Sequence, residues 1–210
     1  MKGVAMVGRP RGVDDAVILR ATTQVMGQVG PAGLTLAAVA REVGLAPATL
    51  VQRFGSKHGL LLALADQAEK DMSELVGRVR RSHDSALGAL AALMVRSLAA
   101  LSTPESYANH LAFLCMDLGD PQLYERALAI HRTQQRMIEQ LLTEAVGTGE
   151  LRTNSNPTAL ARTVQAVIAG TGLNWALERE GRLEQRLRQE LDAVLAPHLP
   201  LPANPELEES

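Results

Sequence analysis

Residues 35–57, TLAAVAREVGLAPATLVQRFGSK, constrain the fold more than any other stretch. Thr35 is a natural N-cap, and Leu36, Val39, Ala40 and Val43 follow on one face of a short helix. Gly44 stops that helix, because glycine enters the left-handed region without strain. Pro47 suits the first turn of a second helix, where its missing N–H leaves nothing unpaired. That second helix turns Leu50 and Phe54 inward. Two short helices joined by a tight turn can place the second in the major groove of DNA.

The net charge of −2 argues against a nucleic-acid partner only until it is divided along the chain. Residues 1–58 hold seven basic and three acidic residues, whereas the remainder holds 14 basic and 20 acidic ones. A basic head on an acidic body can present one end to phosphates. Aromatic residues make up only 2% of the chain, so the core must be Leu, Ala, Val and Met, a composition that favours helices. The charge-free run 163–177 is 15 residues long, too short to span a bilayer. The start lacks the long apolar region of a signal peptide. Cys115 is the single cysteine, which excludes an internal disulfide and fits a reducing cytoplasm. No Cys/His cluster has metal-ligand spacing, and no cofactor is expected. His110, Asp117, Asp120 and His131 could be grouped as acids and bases, but no nucleophile elbow or phosphate loop accompanies them. The expectation is therefore not an enzyme.

Read in order, the chain predicts an all-α protein of about nine helices, with no strand pattern. Residues 1–12 are expected to be a flexible basic arm, and its GRPR segment, with Arg11, to reach the minor groove or backbone. Residues 13–57 form the helix–turn–helix head; its first helix, 13–29, ends at Gly30 and Pro31. Ser56 caps a fourth helix running to about residue 81, apolar at its start and polar later, as suits a connector. A body follows over 58–197. Its helices are predicted at 85–102, 104–118, 121–146, 158–179 and 182–196, and 147–157 is a loop by composition. The prolines and acids of 198–210 predict a disordered tail.

Residues 9–65 resemble the N-terminal domain of the TetR family of bacterial transcriptional repressors. The resemblance rests on Thr35, Val39, Ala40, Val43, Gly44, Leu45, Thr49, Leu50, Phe54 and Lys57, with Ile18, Ala21, Val25 and Gly30 upstream. Val51 stands where the family has a tyrosine that touches phosphate, and Ala38 where an acidic residue could complete a capping box. The resemblance implies a homodimer on a palindromic double-stranded operator, with the later helices binding a small effector and the partner subunit. It implies base contacts from Pro47, Ala48, Thr49 and Arg53, and phosphate contacts from Thr35 and Lys57. Residue chemistry adds Gln52, since Gln pairs with adenine edges as Arg pairs with guanine.

In the body, His110 and Asp117 lie seven residues apart beside Leu114, and His131 and Gln135 interrupt an apolar face. Polar groups on apolar faces must find partners or water, so two readings fit: satisfied polar residues or an effector cavity. The cavity reading includes Met94, Leu98, Phe113, Cys115 and Met116 as adaptable lining. The helix over 158–179 is apolar on more than one face and rich in small residues, so a second copy or the protein's own core must cover it. The resemblance implies a four-helix interface with the last helix, to which Val167, Gly170, Leu173, Asn174, Leu177, Leu187 and Leu191 are assigned. Trp175 can face either the cavity or the interface. The resulting expectation is a cytoplasmic repressor released from its operator by a small, largely apolar ligand. Two alternatives remain: a ligand-binding helical protein without specific operator recognition, and a DNA-binding protein without a ligand.

Overall fold

Helix ends are set by local hydrogen bonds that the sequence encodes directly. In the computed structural model, which describes residues 13–201, the Thr35 hydroxyl accepts from the Ala38 N–H at 3.0 Å. Ser56 accepts from Gly59, Ser85 from Gly88, Asp120 from Gln122 and Leu123, and Asn156 from Ala159. Thr103 and Ser106 bond each other reciprocally in a capping box. Prolines occupy the first turn after three of these entries, at Pro104, Pro121 and Pro157, and Pro47 does so after Ala46, which makes no side-chain cap.

Among the described residues these signals delimit nine α-helices and no strand. They are α1 (Asp15–Gly33), α2 (Leu36–Glu42), α3 (Pro47–Phe54), α4 (Lys57–Arg81), α5 (Ala86–Ser97), α6 (Pro104–Asp117), α7 (Pro121–Gly147), α8 (Pro157–Glu178) and α9 (Leu183–Leu195). A short 3-10 turn, Ala196–His198, follows. α1 breaks at Gly30, whose φ of 63° is left-handed, and Pro31 begins one further turn. A Cβ on Gly30 would lie 2.6 Å from the Asn109 carboxamide oxygen, so both backbone and space require glycine there.

Two corrections concern helix and tail boundaries. α5 stops at Ser97 rather than reaching 102. The cap Thr103 is extended before Pro104, so the chain must leave the helix earlier. Ser97 also turns its hydroxyl onto the Met94 carbonyl at 2.9 Å. Residues 198–201 were expected in the tail, yet the His198 carbonyl accepts from the Arg152 N–H and the Leu199 carbonyl from the Arg152 guanidinium. The rest of the tail, like the basic arm and Arg11, lies outside the described residues.

Two apolar clusters organise the molecule. The first joins Ile18, Val25, Val39 and Leu50 of the head to Leu60 of α4, Phe113 of α6 and Leu123 of α7. The second fills the body with Leu90, Leu93 and Met94 of α5, Ile138 and Leu142 of α7, and Val164 of α8. Leu183, Leu187, Leu191 and Leu195 of α9 complete it, four residues apart on one helix face. Leu187 and Leu191, expected at a subunit interface, are therefore fully enclosed within the protomer. The small residues of α8 also divide. A Cβ on Gly172 would fall 2.3 Å from the Tyr107 ring, whereas one on Gly170 would meet nothing within 4 Å. Gly172 thus serves packing inside the chain, and Gly170 faces outward.

Candidate nucleic-acid interface and effector cavity

α3 exposes Pro47, Ala48, Val51 and Gln52 along one side and buries Leu50 completely on the other. The amphipathic period thus presents the leading edge expected of a groove-entering helix. Thr49 is half-buried at the boundary. Val51 shows half of its surface and offers no hydrogen bond, only an apolar contact.

The charged residues of this face are partly committed elsewhere. Arg53 donates to the Val13 carbonyl and to the Asp15 carboxylate at 3.0 Å. Without DNA the Arg53 guanidinium, expected at a base edge, ties α3 to the start of α1. The Lys57 ammonium donates to the Pro31 carbonyl at 2.6 Å, joining α4 to the end of α1. The Thr35 hydroxyl is used in capping α2, although the residue itself is exposed.

In the body, α6, α7 and α8 border an open cavity of about 720 Å³. His110 and Leu114 of α6, His131 and Gln135 of α7 and Leu98 line it. An adjoining cavity of about 390 Å³ reaches toward the head and shares His110, Leu114 and His131. Asp117 and Phe113 line this second space, Phe113 also belonging to the head cluster. Low-polarity surroundings push the His110 pKa below its ordinary value, since desolvation disfavours the imidazolium. Desolvation, aided by the nearby Asp120 charge, raises that of Asp117. Each shift moves its group in the direction that disfavours the charged form.

Three expected lining residues lie elsewhere. Met94 is sealed in the body core, and Cys115 and Met116 point to the outer surface of α6. Trp175 faces neither of the two cavities. Its ring sits edge-on to Tyr107 at 6.5 Å, its indole N–H donates to the Gly181 carbonyl at 3.1 Å, and it borders a separate space of about 280 Å³ near Leu183. Sequence reasoning missed Tyr107, Gln134, Arg162 and Gln165 on the large cavity's wall. Arg162, Gln165, Ala169 and Leu173 recur at helical spacing, a signal hidden by the apolar character of α8 as a whole.

The outer faces of α8 and α9 form a groove of about 490 Å³ bordered by Val167, Gly170, Asn174, Arg186 and Glu190. Leu173 and Leu177 are exposed along α8, Leu177 by 73%. Five of the seven residues assigned to a subunit interface thus lie outside the protomer core.

Residues 18–64 match the model for bacterial regulatory proteins of the tetR family, and residues 86–200, over half the chain, match that for the BetI-type transcriptional repressor C-terminal region. The chain belongs to the TetR family. TetR-family proteins are transcriptional regulators with a DNA-binding N-terminal domain, not enzymes. A curated relative, the HTH-type transcriptional regulator BetI of Stenotrophomonas maltophilia, is 35% identical over 79 residues, 38% of this chain. The match spans 37% of that relative's length. SmeT, repressor of the multidrug efflux pump SmeDEF of the same organism, is 22% identical over 92% of this chain and 96% of its own, with a TM-score of 0.66. A TetR transcription regulator from Haloarcula marismortui is 14% identical over 89% of this chain and 98% of its own, with a TM-score of 0.71. At these identities the two structures show the TetR fold. Among the described residues no helix is long and apolar enough to cross a membrane.

Proposed function

We propose that this TetR-family chain is a cytoplasmic homodimeric repressor that holds a palindromic operator and releases it when a small, largely apolar molecule fills the α6–α7–α8 cavity. The head is residues 13–57, the body 58–197, with the arm of residues 1–12 adding backbone or minor-groove contacts through Arg11. Gln52, with Pro47, Ala48 and Thr49, reads bases. Thr35 and Lys57 meet phosphates, and Arg53 sets the head's internal geometry. Val167, Gly170, Leu173, Asn174 and Leu177 meet the partner subunit.

One observation carries this reading: α6 belongs to both halves. Its Tyr107, His110 and Leu114 line the cavity, while its Phe113 enters the head cluster and its Asn109 donates to the Gly27 carbonyl of α1 at 2.8 Å. A ligand that displaces α6 therefore displaces α1 and the recognition helix with it. Release requires the ligand to prefer that displaced state, and the coupling is reciprocal.

The test is selection of duplexes from a random library by the full chain, followed by anisotropy on the enriched site. An inverted repeat whose half-sites are one helical turn apart, bound by a dimer, is expected. Compounds that raise the melting temperature should also lower operator affinity. No enriched sequence, or stabilising compounds that leave operator binding unchanged, would count against the proposal.

A further inference from the structure

We propose that the effector has an anionic carboxylate head and an apolar body, the head held by Arg162 of α8 and His131 of α7 at one end of the large cavity. The inference rests on the effector reading above and names its chemistry.

Arg162 is the only Lys, Arg, Asp or Glu on the wall of this cavity, and among the described residues it takes part in no ion pair. Its neighbour one turn on, Gln165, donates its amide N–H groups to His131, one to the main-chain carbonyl at 3.0 Å and one to Nδ1 at 3.1 Å. A ring whose Nδ1 accepts carries its proton on Nε2. Gln165 thereby leaves the His131 Nε2 N–H free to donate, on the wall that also carries the exposed Arg162 guanidinium. Two donor groups and no acid form a receptor for a carboxylate, which accepts charge-assisted bonds at both oxygens.

The rest of the cavity sets the body of the ligand. Leu98, Leu111, Leu114 and Ile168 supply an apolar wall. The adjoining 390 Å³ space extends it past Phe113. Asp117 also lines that space, its pKa raised by desolvation and by the Asp120 charge. A quaternary ammonium would need an aromatic cage, whereas Tyr107 is the only Tyr, Phe or Trp on the large cavity's wall and Arg162 would repel the cation.

The probes are dodecanoate, dodecanol and dodecyltrimethylammonium, each below its micelle concentration, with the full chain. Titration calorimetry gives the affinity. Fluorescence of Trp175, the single tryptophan, follows the site through its contact with Tyr107. Dodecanoate should bind about tenfold more tightly than dodecanol, as expected for hydrogen bonds to a charged partner, and the ammonium least tightly. Arg162→Gln should remove the preference, dodecanoate then binding no more tightly than dodecanol, and Arg162→Lys should retain most of it. The comparison of three ligands on the unaltered protein reads the proposal even if a variant is unstable. Equal binding of acid and alcohol, strongest binding of the ammonium, absence of any binding, or a preference that survives Arg162→Gln would each overturn it. Operator binding is measured separately. Arg162-dependent dodecanoate binding by a protein that selects no DNA sequence would sink the repressor reading and leave this one standing. Ligand-sensitive operator binding with no acid preference would do the reverse.

Discussion

Gln52 and Arg53 are adjacent on α3, yet the structure gives them different work. Gln52 is exposed at the leading face, while Arg53 is anchored to Val13 and Asp15 at the start of α1. Gln52→Ala should therefore cost about 1–3 kcal/mol on the selected site and relax preference at one base step. Arg53→Ala should weaken selected and random duplexes alike, because it removes charge and loosens the tie between α3 and the start of α1. Anisotropy on a set of single-base operator variants separates the two patterns. Equal loss at one base step for both variants would restore Arg53 as a base reader. The exposure of α3 was legible because a 3.6-residue period fixes which side chains share a face. The Arg53–Asp15 pair was not, since the partners are 38 positions apart and pairing depends on how α1 crosses α3.

At the scale of elements, boundaries were legible wherever a cap or proline marks them, as at Ser56, Thr103 and Asp120. Neighbours were not. The Leu183–Leu187–Leu191–Leu195 stripe announces a buried face of α9 but does not say whether its cover is α5 of the same chain or a second copy. The same limit hid a cap supplied from afar: Glu150, beyond α7, accepts from the Ala86 N–H at 2.8 Å and the Leu87 N–H at 3.1 Å at the start of α5. Desolvation by itself would raise the Glu150 pKa. Hydrogen bonds from Ser85, the two N–H groups and Thr148 outweigh it, so the carboxyl sits below its ordinary value. A lowered folded-state pKa gives stability that is fully present above the unfolded value, about 4.3, and lost as pH falls through the folded one. Glu150→Gln should accordingly be less stable than the parent at neutral pH. The gap should narrow from about pH 5 downward and close below the folded pKa. Urea midpoints across a pH series measure it, and a gap that stays constant with pH would show that the carboxylate charge plays no part.

The whole molecule brings these scales together, because α8 has one face toward the cavity and another toward the outside. Arg162, Gln165 and Ala169 border the large cavity, Asn174 and Leu177 lie along the outer side, and Gly170 borders both the cavity and the outer groove. An exposed Leu177 on a helix with open space over Gly170 is the surface an isologous two-fold partner would cover. Leu187 supplies the contrast, since it is fully buried within the protomer. Leu187→Ala should lower unfolding stability by about 2–5 kcal/mol, the ordinary range for emptying a buried leucine site. Leu177→Arg should leave the isolated protomer folded, because its side chain stands in solvent there. In the dimer it would place an unpaired charge at a closed apolar contact, which is costly. Sedimentation velocity at micromolar concentration should give a dimer for the parent and for Leu187→Ala below its melting point, and a folded monomer for Leu177→Arg. Operator affinity should follow the oligomeric state, since a monomer engages one half-site only. A Leu177→Arg variant that remains dimeric would move the interface off the outer face of α8.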